Sequence, residues 1–530
     1  MNNRSPIVLT GIAASPGFAT GPLCRLDAVT ASYLPKATST EEIEALNGAI
    51  AMASAAVASL IERSSGESAD ILEFQLAMLS DDTLAEPALA AIGQGADAAS
   101  AWARTLDAEI AGYEASGDDY FRARSADLGD IRDRVLRALV GTDTLATLPG
   151  AILAGEDLAP TRFLETDWSA GGGIALAAGS SASHVAMLAR SRGVPMVVGL
   201  GDALSTLSGD VLLDAKAGML TAFAAAGDIA RHRAAAAAFA AVRSSAAAYL
   251  SKPALTADGT PVLAYVNVAD PSDVDAINIA ACDGVGLMRT EFLFSRGLPD
   301  EETQYRAYRK VLEWAAGKPV TIRTVDAGGD KPVPGFTVAE GNPFLGLRGI
   351  RLSLSRPDIF RVQIRALLRA AVHGSLKVMF PMIAVESEYA RAKAMFAEEA
   401  LALSALGTVH RIPPLGIMVE VPSVAIAPEA FSDVAFFSIG SNDLTQYVMA
   451  AARDNASVAS LNDTAHPAVL RLIGEVAAFG AAHGIRVSLC GDAGGDPALI
   501  PHLLKAGLRE LSASPAQLAA AKAAIAGVTL

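Results

Sequence analysis

Cysteine is scarce. The chain has three in 530 residues, Cys24, Cys282 and Cys490, too few and too scattered for a disulfide framework. Aromatic residues make up only 5% of the chain, and long aromatic patches are absent. The opening MNNRSPIVLTG lacks the basic-then-apolar pattern of a secretory signal. No apolar run reads as long enough to span a bilayer. Positive charge is in deficit, with 42 Lys and Arg against 57 Asp and Glu and a formal net charge of −15. That balance argues against nucleic acid or an anionic membrane surface as a partner, and the shortness of the apolar runs argues against membrane insertion. A small anionic ligand remains compatible, provided a local arginine cluster holds it against the global field. Together these features predict a cytoplasmic protein in a reducing compartment.

Hydrophobic residues are plentiful at 52%, and a chain this long is expected to divide into two to four domains. Residues 6–22, PIVLTGIAASPGFATGP, read as a strand followed by Gly/Pro turns. From Ser39 to about Leu139 the pattern is helical. Ser39 and Glu42 have capping-box spacing, and Ile43, Leu46, Ile50, Ala53, Val57 and Leu60 recur at helical intervals. From Ala151 to Phe223 short apolar strands alternate with glycine turns, in the style of residues 6–22. The simplest division is one α/β domain, residues 1–22 and 144–226, interrupted by a helical insertion at 23–143. An alanine-rich linker helix follows at 227–252, favoured by alanine's helix propensity.

Beyond Pro253 the pattern becomes regular. VLAYVNV, GVGLMRT, PVTIRTVD, KVMFPMI, LGIMVEV, VAFFSIG, RVSLC and ELSAS are strand-like, with helix-length segments between most of them. This alternation predicts a (β/α)8 TIM barrel over 253–530, whose chemistry sits at the C-terminal ends of the strands. The polar residues ending the runs are Asn267, Arg289, Arg323 with Asp326, Glu420, Asn442 with Asp443, Cys490 and Ser512, and Arg348 and Arg453 lie in nearby loops. Carboxylates at the fifth and sixth ends are the oxygen pair a Mg2+ ion uses while keeping water and substrate ligands. Arginines at the second and third ends suit phosphate or carboxylate. One thiol ends the seventh. The set fits a small, multiply anionic substrate whose chemistry includes a proton transfer.

One stretch lies outside this pattern. In GSSASHVAMLARSRGVP, residues 179–195, small residues crowd up to His184 at the start of a helix-like run. A histidine there serves as a cap or as a nucleophile, and the stretch alone does not choose.

GLMRTEFLF, TIRTVDAGGDK, NPFLGLRGIR, IMVEVPS, FFSIGSNDLTQY and LCGDAGGD resemble, in order and spacing, the barrel motifs of the Enzyme I family. These are the phosphoenolpyruvate–protein phosphotransferases of the bacterial sugar phosphotransferase system. GIAASPGFATGP and YFRARSADLGDIRDRVL resemble the same family. The resemblance implies that His184 carries a phosphoryl group on Nε2, taken from phosphoenolpyruvate and passed to an HPr-type carrier. It implies that Glu420 and Asp443 hold Mg2+, or Mn2+, and that Asp443 also faces the substrate. Arg289, Arg323 and Arg453 match the substrate clamp with Asn442 beside them, and Arg348 is a further candidate. Cys490 matches the acid that protonates the enolate. The helical insertion is expected to dock the carrier through Glu41, Glu42, Glu44, Glu67, Asp70, Asp81, Asp82 and Asp130, and the barrel to mediate a homodimer. Gly179–His184 departs from the family's Gly-Gly-x-Thr-Ser-His, Val185 and Ala452 are further departures, and Ser441 replaces a threonine. A second reading, a phosphoenolpyruvate-sensing regulatory protein with weak transfer, is left open by these changes. A fragment of a nucleotide-linked dikinase is disfavoured, because the chain has no room for an ATP domain.

Overall fold

Glycine and proline break the first 25 residues into three strands rather than the single strand expected: β1 (Ile7–Thr10), β2 (Ile12–Ser15) and β3 (Phe18–Arg25). Gly11 makes the first turn possible, since a Cβ there would lie 2.3 Å from the Val198 carbonyl oxygen. The computed structural model describes residues 5–26, 33–62, 67–114, 119–141, 149–179, 183–294, 297–329, 333, 335–338, 340–452, 458 and 461–530. The chain forms two compact units, Met1–Ala240 and Ala241–Leu530.

In the first unit, β4 (Ile152–Gly155), β5 (Gly173–Leu176), β6 (Met196–Val198), β7 (Asp210–Asp214) and β8 (Met219–Ala222) complete an eight-stranded sheet of order β1-β8-β7-β3-β4-β5-β6-β2. The run β3-β4-β5-β6 is parallel and the remaining pairings are antiparallel. Between β3 and β4 lie α1 (Ser39–Glu62), α2 (Glu67–Leu79), α3 (Asp82–Gly93), α4 (Ala98–Glu114) and α5 (Asp119–Val140). Next come α6 (Pro160–Glu165), α7 (His184–Arg192) and α8 (Ala226–Ala247), the last crossing the division between the units.

The five inserted helices share one apolar core with a face of the sheet: Leu46, Val57, Trp102, Leu106, Ile131 and Val135 cluster with Ala14, Ile174, Leu176, Met196 and Val198. The α1 pattern is as expected, with Leu46, Ala53, Val57 and Leu60 buried and Ile43 and Ile50 half-buried. Its cap lies one residue earlier than the spacing suggested. Thr38 Oγ1 accepts from Glu41 N at 3.2 Å and Glu41 Oε2 accepts from Thr38 N at 3.0 Å. Glu42 is drawn away to accept from Ala98 N, the first residue of α4, at 2.9 Å and from Tyr33 Oη at 2.7 Å. α1 also corrects the reading of apolar runs, because Ser39–Ile61 is long and apolar enough by composition to cross a membrane. Its apolar stripe is nevertheless packed in the core just described.

In the second unit, the eight strand-like runs form β9 (Leu263–Val268), β10 (Val285–Met288), β11 (Pro319–Arg323), β12 (Ser375–Phe380), β13 (Leu415–Val419), β14 (Phe436–Ile439), β15 (Arg486–Leu489) and β16 (Glu510–Ala513), closed into a barrel. Every neighbouring pair is parallel, the topology that alternating strands and crossover helices impose. The helices are α9 (Glu301–Trp314), α10 (Ile350–Ser355), α11 (Pro357–Ala370), α12 (Glu386–Ala405), α13 (Pro422–Ile426), α14 (Ser441–Met449), α15 (Pro467–His483), α16 (Ile500–Lys505) and α17 (Leu518–Ala526). Phe380 anchors the outer core, with ring centroids of Phe396, Tyr389 and Phe360 at 5.7, 6.1 and 6.5 Å.

Trp102 is the largest fully buried side chain, and its indole N–H donates to the Arg132 carbonyl at 3.2 Å. Trp102→Ala is expected to cost the first unit about 3–5 kcal/mol. Calorimetry should show the transition of the first unit moving down while that of the barrel holds.

Candidate active site

Along a parallel barrel strand, side chains alternate between the lumen and the helical shell. Leu287, Met379, Met418, Phe436 and Cys490 form an apolar cluster separate from the main core. The polar residues at the strand ends lie beyond it, at the rim where a parallel barrel keeps its chemistry.

The centre of this rim is Arg348, which the structure buries completely. Its Nε and Nη2 donate to the two carboxylate oxygens of Asp326, each at 3.0 Å. Its Nη1 and Nη2 donate to the two oxygens of Asp443, at 2.9 and 3.0 Å. The Tyr447 hydroxyl accepts from Nη1 at 3.3 Å and donates to the Phe344 carbonyl at 2.6 Å. Burial works against the charge on Arg348, but Asp326 and Asp443 outweigh it and hold the guanidinium firmly protonated. Arg323 extends the chain of charges. Its Nη1 lies 3.1 Å from Asp326 Oδ2, and its Nη2 donates to Glu291 Oε2 at 3.0 Å. Glu291 Oε1 in turn accepts from Asp326 N at 2.9 Å. The Nε of Arg323 is buried without a partner.

Glu420 is fully buried. Oε1 accepts from Met382 N at 2.6 Å, and Oε2 has no partner. Met382 sits in the left-handed region at φ +59°, a strained backbone that this bond helps to hold. Gly440 keeps the space open, since a Cβ there would come 3.1 Å from Glu420 Oε2. Burial, then Asp443 and Asp326, push the Glu420 carboxyl up to about 8, against the pull of Arg348 and Arg323.

Cys490 is buried at the end of β15. Its Sγ donates to the Ile439 carbonyl at 3.6 Å, and burial pushes the thiol up to about 11. Asn442 and Asp492 face each other: Asn442 Nδ2 donates to Asp492 Oδ2 at 3.0 Å, and Asp492 N donates to Asn442 Oδ1 at 3.1 Å. Asn267 Nδ2 donates to the Cys490 carbonyl at 3.2 Å and its Oδ1 accepts from Ser512 Oγ at 2.5 Å. Arg289 is exposed at the end of β10. Arg453 lies outside the described residues.

The structure thus brings Arg323, Arg348, Glu420 and Asp443 into one charged cluster, with Cys490 close enough to feel Arg323, Arg289 and Glu420. Glu291 was not singled out from the sequence. Its only signal is an acid two residues beyond Arg289 in GLMRTEFLF, and its partners come from another strand. His184 belongs to the other compact unit and opens α7; its side chain lies outside the description. Ser183 caps this helix, its Oγ accepting from Ala186 N at 3.3 Å, and Gly193 closes it at φ +67°.

The donor set fits a divalent cation. Glu420 presents a buried carboxylate oxygen with no partner, Asp443 lies beside it, and four carboxylates in the cluster face the two guanidiniums of Arg323 and Arg348. Oxygen donors of this kind suit a hard ion. Without a cation, the raised Glu420 carboxyl carries a pH-dependent penalty. The penalty is absent below the ordinary carboxylate value of 4.5, grows as pH rises toward about 8, and is constant beyond. Glu420→Gln is therefore expected to raise the melting temperature of the metal-free protein at pH 8 and to leave it nearly unchanged at pH 5. The melting-temperature gain from added Mg2+ should vanish in the same variant.

Three family models match the chain. Residues 243–530 match the PEP-utilising enzyme, PEP-binding domain; residues 10–124 match the PEP-utilising enzyme, N-terminal domain; residues 147–218 match the PEP-utilising enzyme, mobile domain. The chain is similar to the phosphoenolpyruvate-protein phosphotransferase of Geobacillus stearothermophilus, 37% identical over 530 residues, covering 97% of this chain and 92% of the relative. The corresponding protein of Lactococcus lactis subsp. cremoris is 36% identical over 540 residues, covering 96% and 92%. A multiphosphoryl transfer protein of Rhodobacter capsulatus is 38% identical over 540 residues, covering 97% of this chain and 63% of the relative. With its barrel matched from end to end and relatives of this identity along nearly its whole length, the chain belongs to the phosphoenolpyruvate-utilising enzyme family.

Proposed function

We propose that this chain is a phosphoenolpyruvate–protein phosphotransferase, an Enzyme I. It takes the phosphoryl group of phosphoenolpyruvate onto its own His184 and passes it to a histidine of an HPr-type carrier, releasing pyruvate. The observation that carries this reading is the unpartnered, buried Glu420 oxygen beside Asp443, in a rim of arginines at the C-terminal end of the barrel. Relatives similar over nearly the whole chain are named for the transfer itself, so a sensor without transfer is not favoured.

Arg289, Arg323 and Arg453 bind the phosphate and carboxylate of the substrate, with Asn442 at their edge. Arg323 has a free Nε to offer. Arg348 is engaged by two carboxylates on its buried fork, so its contribution is to aim Asp443 and Asp326. Glu420 and Asp443 would hold Mg2+ or Mn2+, which supplies positive charge against the phosphoryl oxygens and the enolate. The Nε2 lone pair of His184 attacks phosphorus as the P–O bond to the enol carbon breaks. Cys490 then gives its proton to the methylene carbon of the enolate, yielding pyruvate. The α7 N-terminus behind His184 presents backbone N–H groups toward a phosphoryl group on that residue. A homodimer formed through the barrel is the assembly implied by the resemblance.

Carrier docking falls to the helical insertion, with a narrower acidic surface than the sequence suggested. Glu42 and Asp130 are buried; Glu42 ties α4 in place, and Asp130 accepts from Gln75 Nε2 at 3.0 Å. Glu41, Glu44 and Asp81 are exposed and remain available to steer a basic partner, while the side chains of Glu67, Asp70 and Asp82 lie outside the description.

His184→Ala is expected to abolish acid-labile, base-stable labelling of the protein by phosphoenolpyruvate and Mg2+, with substrate binding to the barrel retained. Full labelling of that variant would end the reading. Glu41→Lys combined with Glu44→Lys is expected to slow transfer from the phosphorylated protein to an HPr-type carrier at low salt. The difference should shrink as the Debye length falls to about 8 Å near physiological ionic strength. Stopped transfer assays across a salt series would measure it.

A further inference from the structure

Ser438 stands on β14 in register with Ser488 of β15, two residues before Cys490, which directly follows that strand. Side-chain alternation therefore puts Ser438, Ser488 and Cys490 on the lumen side, where Phe436 and Cys490 join the apolar cluster. Ser438 is fully buried, and its hydroxyl has no hydrogen-bond partner in this state. An unsatisfied hydroxyl in the wall of a barrel is destabilising, and strand packing alone would be served as well by alanine. The parallel register, with Ser438 opposite Ser488 and Cys490 N bonded to the Ile439 carbonyl at 3.0 Å, puts this hydroxyl and the Cys490 sulfur side by side on one face, where the hydroxyl favours the anionic form of the thiol.

The thiol directs its own proton to the Ile439 carbonyl, with Sγ and O 3.6 Å apart. That contact supports the S–H form and cannot support a thiolate, because a carbonyl has no proton to give. The charged groups that act on the sulfur are Arg323 from β11 and Arg289 after β10, which favour the anion, and Glu420 after β13, which opposes it. The neighbours Leu287, Met379, Met418 and Phe436 are apolar and offer a thiolate nothing.

We infer that Ser438 is a positioning residue for the proton-transfer half of the reaction, its hydroxyl donating to the Cys490 sulfur once the thiol has released its proton. The inference rests on the reading of Cys490 as the acid. In the forward direction the S–H bond breaks and a C–H bond forms at the enolate methylene carbon, using the enolate's electron pair. The S–H electron pair stays on sulfur, and the enolate collapses to the ketone of pyruvate. The hydroxyl is unpartnered before this transfer and makes a charge-assisted hydrogen bond after it. An interaction made only as charge develops lowers the barrier rather than strengthening substrate binding. In reverse, the same bond raises the share of thiolate that removes a methyl proton from pyruvate.

The test is deuterium exchange into the methyl group of added 13C-labelled pyruvate, followed by NMR in D2O with the full-length protein, phosphoenolpyruvate and Mg2+; the label separates this exchange from the deuteron that newly formed pyruvate takes from solvent. Ser438→Ala is expected to slow incorporation about tenfold, the size of a lost hydrogen bond to a charged group. The phosphoenolpyruvate concentration at half-maximal rate and the melting temperature should stay near wild type. Ser438→Thr, which keeps the hydroxyl, should recover most of the rate. Incorporation in Ser438→Ala within twofold of wild type would overturn the inference, as would equal slowing in Ser438→Thr or a parallel loss of phosphoenolpyruvate binding. Cys490→Ala separates the two claims. If that variant still incorporates deuterium, Cys490 is not the acid. If it does not, while Ser438→Ala is unimpaired, the assignment of Cys490 stands and that of Ser438 falls.

Discussion

A guanidinium locked between two carboxylates organises the barrel end of this protein. Arg348 is wholly out of water, and it grips Asp326 on one side and Asp443 on the other with two hydrogen bonds each. A pair of this kind adds little net stability over an apolar replacement, but it fixes geometry, because breaking one side leaves a charge buried alone. Asp326 lies in the loop after β11 and Asp443 in the first turn of α14, so Arg348 ties together two segments that would otherwise be placed independently. Arg323 and Glu291 continue the chain, and Glu420 faces it with an oxygen left over. The rim is therefore a frame of fixed charges, with four carboxylates set against the two guanidiniums of Arg323 and Arg348.

The barrel was legible because its signal repeats. Each strand-like run alternates lumen and shell residues, and seven of the eight end in a polar residue or thiol that the parallel topology delivers to one rim. Glu420 and Asp443 could be paired from sequence because they end adjacent strands. Glu291 could not, because its partners are on β11 and nothing in GLMRTEFLF points there. Arg348 was visible as an arginine near the rim, but not as a buried tether. That distinction depends on how deeply the loop carrying it dives between β11 and α14, which is a packing outcome.

The first unit was read less sharply at its edges. Short strands separated by one or two residues, as around Gly11, carry too little periodicity to be told from turns. The α1 cap shows the same limit in another form. Thr38 with Glu41 and Ser39 with Glu42 both have the required spacing, and a tertiary contact chose between them by recruiting Glu42 to the start of α4.

The inserted helices and the sheet share a single apolar core, with Leu46, Val57 and Trp102 from one side meeting Ile174, Leu176 and Met196 from the other. The insertion is interrupting in sequence but continuous in packing. Recombination that exchanged residues 39–140 alone between two relatives would bring together half-interfaces that had not co-adapted, and excision would strip one sheet face to water. The smallest piece of this unit that could be inherited or grafted intact is therefore the sheet together with its helices.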